Sequence, residues 1–147
     1  MREILFRAKA INRNPNHEYR TDYKNGDWVY GLISKLYDKE LYKRYNFLFA
    51  EMTNESGVSG IDVDYKTIGQ YTGLKDKNGN KIFEGDIVRY NCTLHEVVFC
   101  TINGCAFFGI TMPERGEIWN FDGITDAGRT EIVGNIHDNP ELIGGNE

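Results

Sequence analysis

Ile4, Phe6, Ala8 and Ala10 alternate with Leu5, Arg7 and Lys9, a period of two that predicts a strand over residues 3–11 with one face buried. The run Asn12 to Asn16, which contains Pro15, breaks it. Gly26-Asp27-Trp28-Val29-Tyr30-Gly31-Leu32-Ile33 opens at a turn and has the composition of a second strand. Residues 35–44 suit a loop or hairpin, and Tyr45 to Met52 reads as readily as a strand as it does as part of a short helix. Asp64 stands where its carboxylate can accept a backbone N–H two or three residues on, so a helical turn is expected through Ile68.

From residue 71 the turn signals come closer together. Tyr71 to Phe83 predicts a hairpin, with Asn78-Gly79 supplying the positive φ angles of its tight turn. Glu84-Gly85-Asp86 then turns the chain into a strand over Ile87 to Tyr90. Val97 to Phe99 and Ala106 to Ile110 flank Asn103-Gly104 and predict a further hairpin with that pair at its tip. Trp119 and Phe121 alternate with Asn120 and Asp122, and Glu131 to Ile136 follows the Asp126-Ala127-Gly128 turn as the last strand. Asn139-Pro140-Glu141-Leu142 has a capping residue, then Pro at the first helical position, then an acid near the positive end of the dipole. Gly144-Gly145 stops that turn at once, so the chain is expected to be mainly β with a short C-terminal helical turn.

Composition agrees with this pattern. Sixteen glycines against three prolines imply many tight turns, and 13% aromatic residues favour pleated surfaces. A chain of 147 residues is one domain by length, 1–147. The small, polar stretch Asn54 to Gly60 is its most linker-like part and suggests sub-parts 1–53 and 61–147. No apolar run reaches the roughly 18 residues of a membrane span, and the start Met1-Arg2-Glu3-Ile4-Leu5-Phe6-Arg7 is recharged too soon for a secretion signal. The expectation is a soluble, cytoplasmic protein with no membrane partner.

The net charge of −5 is unevenly spread. Residues 1–24 carry six bases and three acids, a net +3, and the rest of the chain carries −8. An acidic body repels duplex DNA, whose binding depends on neutralising phosphates, so a nucleic-acid reading has only the N-terminal segment to use. Its candidate residues are Arg2, Arg7 and Lys9, with Trp28 and Tyr30 as stacking platforms. Tyr37, Tyr42 and Tyr45 with Lys43-Arg44 extend the same aromatic and basic stretch. Core and subunit-interface packing explain these aromatics more simply, and tyrosine is enriched at protein interfaces.

Few residues suggest chemistry. Cys92, His95, Cys100 and Cys105 stand as C-x2-H-x4-C-x4-C, with the gaps of a zinc knuckle. Histidine is second instead of third, and Glu96 to Phe99 lacks the glycines that let so short a loop wrap a metal. Paired strands at 97–99 and 106–108 would hold Cys100 and Cys105 near a hairpin tip and leave Cys92 far down one arm. Free cysteines are expected. Asp76-Lys77-Asn78-Gly79 opens like a calcium loop, but the closing acid position is Ile87. Asp62 and Asp64 share a strand face, where capping and solvation account for them. Gly57-Val58-Ser59-Gly60-Ile61 lacks the last glycine of a nucleophile elbow. His137 and Asp138 are adjacent, so on a strand they point apart. No phosphate-binding glycine loop is present. No catalytic set, metal or cofactor is expected.

Five blocks carry a resemblance. Arg2 to Ala8, Trp28-Val29-Tyr30-Gly31, Gly69 to Gly79, Ile82 to Val88, and Val133 to Leu142 resemble, in that order, the YopX family of phage and prophage proteins. The Thr72-Gly73-Leu74-Lys75-Asp76-Lys77-Asn78-Gly79 hairpin followed by Glu84-Gly85-Asp86-Ile87-Val88 is the most specific part, and residues 35–60 and 91–130 match only loosely. The resemblance implies a mostly β fold with barrel-like, SH3-like parts, a phage or prophage origin and a tendency to self-associate, and it names no catalytic residue. The expected protein is a non-enzymatic accessory factor, a homo-oligomer that contacts a phage or host protein. A nucleic-acid-binding β-barrel module is the alternative.

Overall fold

The computed structural model describes residues 3–11, 23–36, 49–121 and 127–144. The readings placed on Arg2, on 12–22, on 37–48 and on the Asp126 turn lie outside the described residues. Within them the chain is mainly β, with eleven strands and two 3-10 turns. It divides into two compact units, 4–70 and 71–147, the second also including residues 1–3.

The first unit holds β1 (Phe6–Lys9), β2 (Trp28–Leu36), β3 (Phe49–Asn54), β4 (Ile61–Asp64) and the start of β5 (Gly69–Lys75). They lie antiparallel in the order β4-β3-β2-β1-β5. Ala10 forms a bridge to Val63, and the Ile11 N–H donates to the Asp62 carbonyl at 2.8 Å. The sheet β1–β4 is thereby closed on itself as a small barrel, the part-structure that the family resemblance implies. Ala8, Ala10, Val29, Ala50, Met52, Ile61 and Val63 fill it. Three of the seven are alanine, because so few strands leave little interior volume. Crowding also reaches the backbone: a Cβ on Gly31 would run into the Thr53 carbonyl oxygen of the neighbouring strand.

Asn54 to Gly60, read as a joint between sub-parts, is the loop of the β3–β4 hairpin inside this unit. The Asn54 side-chain oxygen accepts from the N–H groups of Ser56 and Val58, which is why a small polar sequence stands there. The division between units falls at Gln70 and Tyr71, within β5. Asp64 does cap a 3-10 turn, Tyr65–Thr67, through the Lys66 N–H.

In the second unit the remainder of β5 pairs with β6 (Lys81–Phe83). A five-stranded antiparallel sheet follows, made of β7 (Asp86–Tyr90), β8 (Thr93–Ile102), β9 (Cys105–Met112), β10 (Glu117–Asn120) and β11 (Glu131–Asn135) in the order β10-β9-β8-β7-β11. Ile82, Val88, Val97, Ile110, Phe121 and Ala127 form the core. The expected tip at Asn103-Gly104 is present, with φ of 51° and 78°, the two positive angles of a type I′ turn. β8 and β9 are longer than 97–99 and 106–110 because the pairing runs on from Val97–Ile110 to Ile102–Cys105.

The Asn78-Gly79 turn differs from the expectation. Only Gly79 has a positive φ. The cause is Asp76, a buried residue whose Oδ1 accepts from the N–H groups of Asn78 and Asn80, both at 2.9 Å. Its Oδ2 accepts from the Ile132 N–H at 3.1 Å, tying the hairpin to β11. Burial alone would raise the Asp76 carboxyl, but the bonds from Ile132, Asn80 and Asn78 outweigh it and hold the group below the usual range. At the C-terminus Pro140 begins a 3-10 turn as read, yet Asn139 makes no side-chain cap. Its Oδ1 turns back to the Asn135 N–H at 3.3 Å and occupies the space that a Cβ on Gly134 would need.

Two outcomes follow from these contacts. Met52→Ala, which empties the most crowded part of the barrel, is expected to cost about 2–5 kcal/mol in urea denaturation, and a loss below about 1 kcal/mol would mean that the barrel interior is not close-packed. A carboxyl whose folded pKa is depressed stabilises the fold above its unfolded pKa and loses that contribution as pH falls through the folded value. The melting temperature of the wild type should therefore fall on acidification below the ordinary aspartate range by more than that of Asp76→Asn, which starts lower; parallel curves would remove Asp76 from this role.

Candidate functional site

Strand alternation decides which side chains leave the barrel. Ala8, Ala10 and Val29 point inward, so Arg7 and Lys9 on β1 and Trp28 and Tyr30 on β2 point outward. The register sets Arg7 opposite Tyr30 and Lys9 opposite Trp28. The Arg7 guanidinium carbon lies 4.7 Å and the Lys9 Nζ 5.4 Å from the Trp28 ring centroid, a double cation–π contact. Four of the five nucleic-acid candidates are therefore brought together, and Arg2 lies outside the described residues. Their availability is unequal. Arg7 is only 7% exposed, so its charge reaches a phosphate only if Trp28 moves. The aromatic end is open: Tyr30 is exposed, and the same outward row of β2 continues to Leu32, beyond which a register shift between Ile33 and Lys35 puts the exposed Leu36 opposite the inward Ala50.

The second unit contains a cleft of about 310 Å³ lined by Thr93, His95, Met112, Glu114 and Arg115, among others. His95 is buried at its floor. Its Nδ1 lies 2.7 Å from the Thr111 carbonyl oxygen, which can only accept, so Nδ1 carries a proton. Its Nε2 lies 2.6 Å from Thr93 Oγ1, and that oxygen is 2.8 Å from the Tyr90 carbonyl. With neutral imidazole the hydroxyl donates to Nε2; with imidazolium Nε2–H donates to Oγ1 and the hydroxyl is released to Tyr90. Either way the two side chains cross-link the start of β8 to β9, and the imidazolium form adds the bond to the preceding turn. That turn needs support, because Asn91 and Cys92 both have positive φ, 47° and 64°, without a glycine. The arrangement is a brace.

The other chemical candidates are separated in space or absorbed by structure. Cys92 sits in the turn, while His95 and Cys100 are five residues apart on β8. They face opposite ways about 16 Å apart along the strand. All three thiols are free, and among the described residues no three His, Cys, Asp or Glu side chains gather as a metal would require. The calcium-loop opening is consumed by the Asp76 bonds described above. Asp64 serves as a cap. His137 and Asp138 present their N–H groups to the Asn135 side-chain oxygen, so that segment is a turn organised by Asn135. Ser59 is exposed in the β3–β4 loop. The feature that the sequence did not expose is a second outward row, on β8–β10, where Ile102 and Ile118 stand in solvent. Alternation of apolar residues on both sides of β8 and β9 was its only signal.

The profile of a family described as YopX protein matches residues 13–144. Among solved structures, the chain is similar to the crystal structure of protein EF1440 from Enterococcus faecalis, at 23% identity over 96% of this chain and 98% of that one, with a TM-score of 0.48. No curated protein matches it.

Thr93→Val leaves the buried imidazole without its hydroxyl and is expected to cost about 1–3 kcal/mol of stability by chemical denaturation. An unchanged midpoint would show that the Thr93–His95 pair is not a brace.

Proposed function

This chain belongs to the YopX protein family, and from that premise we propose that it is a phage- or prophage-encoded accessory protein that assembles with itself and acts through protein contacts. The observation that carries the reading is the outward row of β2. Leu32 is 53% exposed, in line with the exposed Tyr30 and the half-buried Trp28. Isolated apolar residues on a surface are ordinary, but a row along one strand makes a continuous patch, and such patches mark contact sites. Charge supports the same partner. Residues 4–70 contain ten bases and nine acids, so two copies of this unit meet with almost no net repulsion.

The reading is non-enzymatic because the buried acid and base side chains Asp76, Asp86 and His95 are committed to hydrogen bonds that hold turns and strands. Free thiols fit the reducing cytoplasm of a bacterial host. No helix among the described residues is long and apolar enough to cross a membrane. A second reading, a nucleic-acid-binding barrel, draws on the assembled Arg7, Lys9, Trp28 and Tyr30; it ranks lower because Trp28 engages both cations.

Native mass spectrometry of the protein purified without chelator tests the proposal. The expected spectrum is a multiple of the 16.9 kDa chain, reduced to the single chain by Leu32→Lys at unchanged melting temperature. A monomer at every concentration would contradict self-association. Binding of a single-stranded oligonucleotide that falls steeply with salt would favour the second reading.

A further inference from the structure

We propose that the outward face of β8, β9 and β10 docks a short, basic polypeptide segment with alternating apolar side chains. The surface lies in the second unit and shares no residue with the β2 row, so it can succeed or fail independently of self-association.

The register defines the face. Val98 lies opposite Gly109, Cys100 opposite Phe107, and Ile102 opposite Cys105, while Ile118 lies opposite Thr111 and Asn120 opposite Gly109. Directly paired residues point the same way, and this way is opposite to Val97 and Ile110 in the core. Six of these side chains, Val98, Cys100, Ile102, Cys105, Phe107 and Ile118, are apolar or weakly polar; Thr111 and Asn120 are the uncharged polar members. None is fully buried, with Ile102 46% and Ile118 39% exposed. Gly109 makes the face continuous. A Cβ there would lie 2.5 Å from Ile118 Cγ2 and 3.5 Å from the Phe107 ring, so only a glycine lets both side chains lie over the middle of the sheet.

Size and charge select the occupant. Three strands about 4.8 Å apart and about five residues long offer roughly 200 Å², the footprint of a single extended segment. Residues 1–3 and 71–147 contain seven bases and thirteen acids, a net −6, which sets two copies of this unit against each other and attracts a cation. An acid at the end of the apolar row is Glu96, opposite Thr111 by the same register, where its N–H donates to the Thr111 hydroxyl oxygen at 3.1 Å. Burial first, and then the neighbouring Glu84 carboxylate, push the Glu96 carboxyl up, so a cation arriving at this end of the face would favour the charged form of Glu96.

Fluorescence anisotropy with the full chain tests the proposal, using three labelled twelve-residue peptides that alternate Leu with Lys, Leu with Glu, and Ser with Lys. The Leu/Lys peptide is expected to bind at least tenfold more tightly than either of the others. Ile118→Asp and Ile102→Asp are each expected to weaken it at least tenfold, without changing the mass of the assembly. Ile102 is near the hairpin tip and outside the core, so its variant separates lost docking from lost folding. Equal binding of the Ser/Lys peptide, retention of Leu/Lys binding by both variants, or a change of assembly mass in Ile102→Asp would overturn the proposal, the last by showing that a second copy covers the face.

Discussion

A β-strand has two faces, and each unit of this chain has core enough for only one. In the barrel, closure by the Ala10–Val63 bridge turns the inner residues into a packed interior of alanine, valine and methionine, and every second side chain must then face out. In the second unit the core ends near Val97 and Ile110 while β8 and β9 run on to Ile102 and Cys105. Outward positions can be made polar at little cost. Here several are not: Tyr30 and Leu32 on one unit and Ile102 and Ile118 on the other stand in water. Exposed rows of this kind are the features of the molecule that its own folding does not use.

The two units differ in charge: the barrel is nearly neutral and the second unit is net acidic, which is why a second copy is proposed for one row and a cationic segment for the other. Buried polar groups, in contrast, are turned inward to structure. Asp76 receives three backbone N–H groups, and His95 ties the start of β8 to β9. An account based on contacts therefore uses the residues that the fold leaves over, and needs none that it has already employed.

Much of this was legible locally. Period-two alternation located β1, and a turn followed by strand-like composition located β2; Arg7, Lys9, Trp28 and Tyr30 were picked by residue type, and it is the strand register that sets them on one face. Asn103-Gly104 was read correctly because its turn depends on those two residues alone. Asn78-Gly79 was read incorrectly because the conformation of Asn78 is set by Asp76, whose third partner, Ile132, is 56 residues away. The Asn91-Cys92 turn carried no signal, since cysteine is rarely found at positive φ. Nor did the division between units, which crosses a strand that needs the same residues on either side of it. At the candidate site, residue type gave the candidates but not the depth: that Arg7 is buried against the Trp28 ring follows from packing, which no spacing encodes.

The central claim is that the barrel row meets a second copy while the β8–β10 row stays open for another partner. Hydroxyl-radical footprinting at low and high protein concentration reads both rows in one experiment. The account predicts that oxidation of Trp28, Tyr30 and Leu32 falls as concentration rises, with Phe107 and Ile118 unchanged. Protection of Phe107 and Ile118 instead, or of neither row, would contradict it.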